Sequence, residues 1–132
     1  MDSVALDASA ILAQLQGEPG GSEVMDVVDG GAVDIVVSSV NLCEAITKLM
    51  RDGLSAREAL EAVVGYREFV VGFDEGQAIR AAELSARTQS FGLSLGDRAC
   101  LALAASRGCV AWTTDRAWMS VDVGVRVRLL RS

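Results

Sequence analysis

Short apolar runs alternate with longer amphipathic segments along the chain, which predicts strands and helices in turn. The runs rich in apolar and β-branched residues are predicted strands: Val4–Leu6, Asp34–Ser38, Phe69–Gly72, Cys109–Trp112 and Val125–Leu130. Helical spacing covers the segments between them, which are Ala8–Gln16, Ser22–Val28, Val40 to Asp52, a piece starting at Ser55, Glu75–Thr88 and Leu95–Arg107. Such alternation is typical of an α/β fold with a largely parallel sheet and helices on both faces.

The composition fits one globular domain over residues 1–132, with a single proline and no repeat. No apolar run approaches the roughly 20 residues that cross a bilayer, and the first residues lack a basic secretory start. The cysteines Cys43, Cys100 and Cys109 are odd in number and have no metal-type spacing. We therefore expect a cytoplasmic protein, without membrane contact, whose cysteines are small buried residues.

The chain has no histidine, which excludes histidine-dependent hydrolase triads and histidine-ligated zinc sites. It carries 18 acidic and 12 basic residues, a net charge of −6. If four acids hold metal ions, 14 acids remain against 12 cations, a net of −2. The composition therefore tolerates a phosphodiester substrate, and hydrolytic chemistry has to rest on carboxylates, hydroxyls and bound metal.

Acids occupy positions at which the ends of predicted elements meet. Asp7 follows the first strand, Glu44 lies early in the helix after the second, Asp97 starts a late helix and Asp115 follows the next strand. Ligands of parallel sheets bind beyond the carboxyl ends of the strands, so these acids can share one pocket. Carboxylates at close range repel each other unless cations lie among them, and oxygen ligands without His or Cys favour Mg²⁺ or Mn²⁺.

Each acid also has a purely structural explanation. Asp7 and Asp115 suit helix caps or turns. Glu44 can pair with Lys48 four residues on. Asp97 completes a capping box with Ser94, although Gly96 between them is a poor helix former and suggests a close backbone approach.

At these residues the chain resembles the PIN-domain family, and within it the VapC-type toxin ribonucleases. The matching stretches are Val4–Leu12, Val37–Ala45, Leu93–Ala104 and Trp112–Trp118, which occur in the family's order across the whole chain. The segment from Gly17 to Gly31 matches no strong motif.

The resemblance implies a three-layer α/β/α PIN sandwich with about five strands and an endoribonuclease using Mg²⁺ or Mn²⁺. It assigns Asp7, Glu44, Asp97 and Asp115 as metal-holding catalytic acids, and Ser9 and Thr113 as polar residues that support them. It also implies the toxin role of a type II toxin–antitoxin system, with RNA as substrate, a cognate antitoxin as partner and toxin dimerisation.

Arg98 and Arg116 each follow one of these acids directly and could reach a substrate phosphate, which makes them candidate phosphate contacts. Plain surface solvation is the favoured explanation for both. A PIN-like domain that binds metal or a partner without cleaving RNA is the alternative for the whole chain. A phosphatase or phospho-acceptor domain fits less well, because Ser9 stands where aspartate-nucleophile phosphatases need a second Asp and Lys48 is the only lysine.

Overall fold

The computed structural model describes residues 3–120 and 122–130. Its centre is a single parallel sheet of five strands. Its strands are β1 (Val4–Leu6), β2 (Ile35–Ser38), β3 (Val70–Val71), β4 (Val110–Thr113) and β5 (Val127–Leu129). They are ordered β3-β2-β1-β4-β5, and every neighbouring pair is parallel. The predicted α/β fold with a mostly parallel sheet of about five strands is confirmed.

The helices are α1 (Ala8–Leu15), α2 (Gly21–Gly30), α3 (Ser39–Arg51), α4 (Ala56–Ala62), α5 (Glu75–Thr88) and α6 (Leu95–Arg107). Each lies within a few residues of its prediction. Short 3₁₀ helices at Val64–Phe69, Gln89–Phe91 and Arg116–Ser120 were not predicted, and the first of them shortens the predicted strand at Phe69. None of the helices in the described part of the chain is long and apolar enough to cross a membrane.

Alternating side chains of the strands pack into separate cores on the two faces of the sheet. Val4 and Leu6 face the core that contains Ile11 of α1. Ala5, between them, faces the core that contains Leu101 of α6. Because both faces are covered by helices, the strands read as continuous apolar runs, and the predicted three layers are present.

The order of the strands places one crevice at the centre of the sheet. From β1 the chain continues to β2 and β3 on one side, and it later returns to β4 and β5 on the other. The carboxyl ends of β1 and β4 therefore form the switch point of the topology, where α/β proteins bind their ligands. The backbone N–H of Asp7 donates to the Trp112 carbonyl across it (3.2 Å).

Cysteine burial follows the prediction at two of three positions. Cys100 and Cys109 are buried, but Cys43 is exposed. The prediction is wrong for Cys43 because it lines an open pocket, together with Glu44, and does not face the core.

A close approach of α1 and α2 depends on glycine at position 21. A Cβ on Gly21 would overlap the backbone of Ala13 and Gln14 in α1. Gly30, at the other end of α2, has nothing within 4 Å of the same point.

We predict that Gly21→Ala lowers the free energy of unfolding by about 2 kcal/mol or more, because backbone atoms cannot yield as a flexible side chain would. Gly30→Ala, the same change in the same helix, should be neutral or should stabilise the protein by up to about 1 kcal/mol. Urea unfolding of both variants checks this. Equal stabilities would contradict the close approach of α1 and α2.

Candidate active site

Asp7 is the most buried acid of the predicted set, with 2% of its surface exposed. It caps α1 directly after β1, and its Oδ1 accepts hydrogen bonds from the Ala10 N–H (2.8 Å) and the Ser9 hydroxyl (2.7 Å). Its Oδ2 accepts from the Thr113 hydroxyl (2.6 Å). The helix cap and the predicted polar contacts are thus both present, and together they fix the carboxylate.

The hydroxyls of Ser9 and Thr113 tie the end of β4 to the end of β1. Ser9 Oγ accepts from the Thr114 N–H (3.0 Å), and Thr113 Oγ1 accepts from the Asp115 N–H (3.0 Å). Asp115 in turn accepts from the Ala117 N–H through its Oδ1 (3.0 Å), as the predicted turn requires. The network therefore places Asp115 beside Asp7, although more than one hundred residues separate them in the chain.

Asp97 is held by the capping box that its spacing predicts. Its Oδ2 accepts from the Ser94 N–H (2.9 Å), while Ser94 Oγ accepts from the Asp97 N–H (3.2 Å). This structural role engages one carboxylate oxygen, so it is compatible with a second role at the other.

The purely structural explanation for Glu44, an ion pair with Lys48, is not observed. Lys48 instead donates to both carboxylate oxygens of Asp52 (2.8 and 2.7 Å). Glu44 Oε1 accepts from the amide of Asn41 (3.1 Å), and a Cβ on Gly96 would overlap the Glu44 carboxylate. The glycine in the first turn of α6 therefore makes room for an acid from α3.

The predicted acids line one pocket of about 460 Å³, which we call the acid pocket. Four elements supply its carboxylates: Asp7 at the end of β1, Glu44 on α3, Asp97 on α6 and Asp115 after β4. Ser9 also lines it, whereas Thr113 lies behind Asp7 and is fully buried.

The cations of the acid pocket differ from those predicted. Arg98 donates to the Ala81 carbonyl of α5 (2.8 Å) and is not among the lining residues, so the structure does not bring it to the pocket. Arg116 is exposed but is not among the lining residues either. Lys48 and Arg51 line the wall formed by α3. Their spacing from Glu44, four and seven residues, was the available signal, since it places all three on one helix face.

Burial dominates the electrostatics of these acids. It raises the pKa of Asp7 from 3.8 to about 7, against the lowering effects of Thr113, Ser9 and Ala10, and nearby Asp97 raises it further. Burial and the charge of Asp97 also raise the pKa of Glu44, while the hydrogen bond from Asn41 lowers it. The pKa of Asp97 is raised by burial and by Asp115. In the absence of a cation, Asp7, Glu44 and Asp97 therefore resist full ionisation.

The donor chemistry of the acid pocket fits a hydrated Mg²⁺ or Mn²⁺ ion. Carboxylates and hydroxyls are hard oxygen donors, and a cation offsets the mutual repulsion of the acids. Within residues 3–120 and 122–130, no three acidic or cysteine side chains are grouped closely enough to hold an ion by themselves. Mg²⁺ usually keeps several waters and uses one or two carboxylates, so an open acidic pocket suits it better than a closed cage would.

Comparison with known proteins gives a family match over most of the chain. The model of the PIN domain family matches residues 4–124. No curated protein sequence matches the chain significantly.

Several solved structures have similar folds, and some of them are described as toxins or toxin–antitoxin complexes. The chain is similar to the DNA-bound VapBC of Salmonella typhimurium, with 22% identity, a TM-score of 0.76 and coverage of 97% of this chain and 98% of that one. VapC20 of Mycobacterium tuberculosis, described as a toxin that cleaves the sarcin–ricin loop, has 18% identity, a TM-score of 0.71 and coverage of 89% and 95%. FitAcB of Neisseria gonorrhoeae has 19% identity, a TM-score of 0.68 and coverage of 94% and 95%. At these identities the likeness concerns the fold.

We predict that Asp7→Asn stabilises the metal-free protein, and more so at pH 8 than at pH 5. An acid whose folded-state pKa lies above its unfolded value holds more protons when folded, so stability falls as pH rises from about 4 to about 7. Asparagine removes that penalty, which is on the order of 4 kcal/mol above pH 7 for a shift of this size. Thermal unfolding in EDTA at both pH values measures it.

Asp26→Asn is the matched control, because Asp26 lies exposed on α2. It should change the stability little at either pH. An Asp7→Asn effect that is equal at pH 5 and pH 8 would show that the burial of charge is not the cause.

Proposed function

The chain belongs to the PIN domain family, and we propose that it is a divalent-metal-dependent endoribonuclease, the toxin component of a type II toxin–antitoxin system. The observation that carries this proposal is the acid pocket, in which carboxylates from four elements meet at the switch point of a parallel sheet. Like charges are assembled there at a cost to folding, which is typical of functional sites.

Asp7, Glu44, Asp97 and Asp115 are the proposed metal-holding residues. A bound Mg²⁺ or Mn²⁺ would supply a Lewis acid that polarises a phosphoryl oxygen and makes a bound water more acidic. Asp7 contributes a fixed oxygen, because its three hydrogen bonds leave the carboxylate no freedom to rotate. Glu44 and Asp97 are only partly buried, so they can also hydrogen-bond to water and orient it.

The proposed reaction is hydrolysis of an RNA phosphodiester. Water adds to phosphorus, the bond from phosphorus to the 3′ oxygen breaks, and the products are a 5′-phosphate and a 3′-hydroxyl. The proton released by the water goes to a carboxylate oxygen, since the chain has no histidine to receive it, and the carboxyl group or a water then gives a proton to the departing 3′ oxygen, which leaves as the hydroxyl. Glu44 Oε2 suits this role, because Asn41 binds the other oxygen.

Lys48 and Arg51 are the proposed contacts to flanking phosphates. An acidic pocket repels an RNA strand unless cations at its rim attract the backbone. Asp52 holds Lys48 in place and itself accepts a hydrogen bond from the side chain of Gln16, the residue that follows α1 (2.7 Å). Arg51 is exposed at the same wall of the pocket, and we assign it the kind of phosphate contact that the sequence suggested for Arg98 and Arg116.

The proposed partners are a cognate antitoxin and a second copy of the chain. The similar structures include toxin–antitoxin complexes from Salmonella typhimurium, Rickettsia felis and Klebsiella pneumoniae. This proposal is supported by the extent of the likeness, because each comparison covers 96% or more of both chains.

A PIN-like domain that binds metal without cleaving RNA is the second candidate. The net charge of −6 favours it, because an acidic protein repels the phosphate backbone of RNA. Calorimetric titration with Mn²⁺ beside a nuclease assay separates the two, because binding without turnover supports only this candidate.

We predict that the purified chain cleaves structured RNA with Mn²⁺ or Mg²⁺, and that Asp7→Asn lowers kcat on the order of 100-fold or more. This is the loss expected when one preorganised electrostatic contact of a site is removed. Gel analysis of end-labelled RNA measures the rate, and EDTA should abolish cleavage. Asp26→Asn should cleave like the wild type. An inactive wild type, or an Asp7→Asn variant as active as the wild type, would overturn the nuclease proposal.

We also predict that Arg51→Gln raises KM for RNA about threefold to tenfold and leaves kcat nearly unchanged. Loss of one phosphate contact should reduce the slope of log affinity against log salt by about 0.7. Arg57→Gln is the control, since Arg57 is an exposed arginine of α4 that pairs with Glu61 (3.4 Å) and does not line the acid pocket. Identical salt slopes for the two variants would exclude Arg51 from RNA binding.

A further inference from the structure

Asn41 is a buried polar residue between Glu44 and the first turn of α6, and only 1% of it is exposed. Its amide nitrogen donates to two acceptors at once, Glu44 Oε1 (3.1 Å) and the Gly96 carbonyl (3.0 Å). One side chain therefore ties an acid of the pocket to the helix that carries another acid, Asp97.

The orientation of the Asn41 amide follows from these partners. Both are oxygen acceptors, so a flipped amide would place its own oxygen against them. The observed orientation leaves Asn41 Oδ1 buried without a hydrogen-bond partner among the described residues. A buried acceptor left unpaired destabilises the fold, which offsets part of the stabilisation from the two hydrogen bonds that Asn41 donates. The net contribution of Asn41 to stability is therefore small.

Gly96 supplies the second restraint on Glu44. Since the Glu44 carboxylate occupies the space that a Cβ at position 96 would fill, the acid is packed against the backbone of α6. Asn41 restrains it from the side of α3. Two contacts from different elements thus determine where this carboxylate lies relative to Asp97.

We infer that Asn41 is a positioning residue for Glu44: it holds the carboxylate against Gly96 and so sets the place at which a divalent cation meets α3. This inference rests on the proposed metal-dependent function. It assigns Asn41 no contact with substrate or cation, and all of its effect passes through Glu44.

Asn41→Leu tests the inference, because leucine has nearly the same shape and neither a donor nor an unpaired acceptor. In the metal-free chain we expect stability equal to or above that of the wild type by thermal unfolding. Calorimetric titration should show Mn²⁺ affinity reduced about tenfold, as for other residues that orient metal ligands. The same variant should lower kcat for RNA and leave KM nearly unchanged. Asn41→Ala provides the same test without branched bulk if the leucine variant does not fold.

A double-mutant cycle with Glu44→Gln separates positioning from a general structural role. In the Glu44→Gln background, Asn41→Leu should change the Mn²⁺ affinity by less than about twofold, because the residue it positions no longer binds the ion. Independent losses that multiply, or unchanged affinity in the single Asn41→Leu variant, would overturn the inference. So would a wild-type chain that binds no Mn²⁺.

The outcome for Asn41 is distinguishable from the outcome for the nuclease. Mn²⁺ binding that depends on Asn41 through Glu44, in a chain that cleaves no RNA, refutes the nuclease and keeps the positioning role. RNA cleavage by a chain whose Mn²⁺ affinity does not depend on Asn41 supports the nuclease and refutes the positioning role.

Discussion

Burial of the Asp7 carboxylate at the end of β1 is the constraint on which the site depends. A charge removed from water needs donors, and here one comes from the first turn of α1 and two from hydroxyls. The Thr113 hydroxyl reaches Asp7 only because β4 lies beside β1 in the sheet. The hydrogen bonds of Asp7 therefore depend on the order of the strands in the sheet. The repulsion among the acids favours binding of a cation in the acid pocket.

The strands and the helix starts were predicted well from the sequence, because burial patterns and helix caps are visible in short local stretches. Apolar runs buried on both faces identified β1, β2 and β4, and caps at Ser55 and Ser94 identified the starts of α4 and α6. The meeting of the acids followed from the rule that parallel strands end at one edge of a sheet. The 3₁₀ helices were missed because such short turns show no extended periodicity.

Side-chain partners were predicted less well, because distant segments decide them. Lys48 donates to Asp52, which also accepts a hydrogen bond from Gln16 at the end of α1. Glu44 accepts a hydrogen bond from Asn41 instead. Arg98 donates to a backbone carbonyl of α5, a contact that no local sequence pattern predicts. Gly96 was the exception: a glycine where a helix prefers another residue correctly indicated a close approach.

The hydrogen bond from Thr113 to Asp7 spans 106 positions of the chain, so it can form only after β4 has been synthesised. Contacts so distant in sequence form late, after the local helices, because the chain between them must first be ordered. A nascent polypeptide that has emerged only as far as α5 lacks β4 and cannot assemble the pocket. Any activity of the pocket therefore begins only after most of the chain has left the ribosome, which separates synthesis of the protein from its action in time.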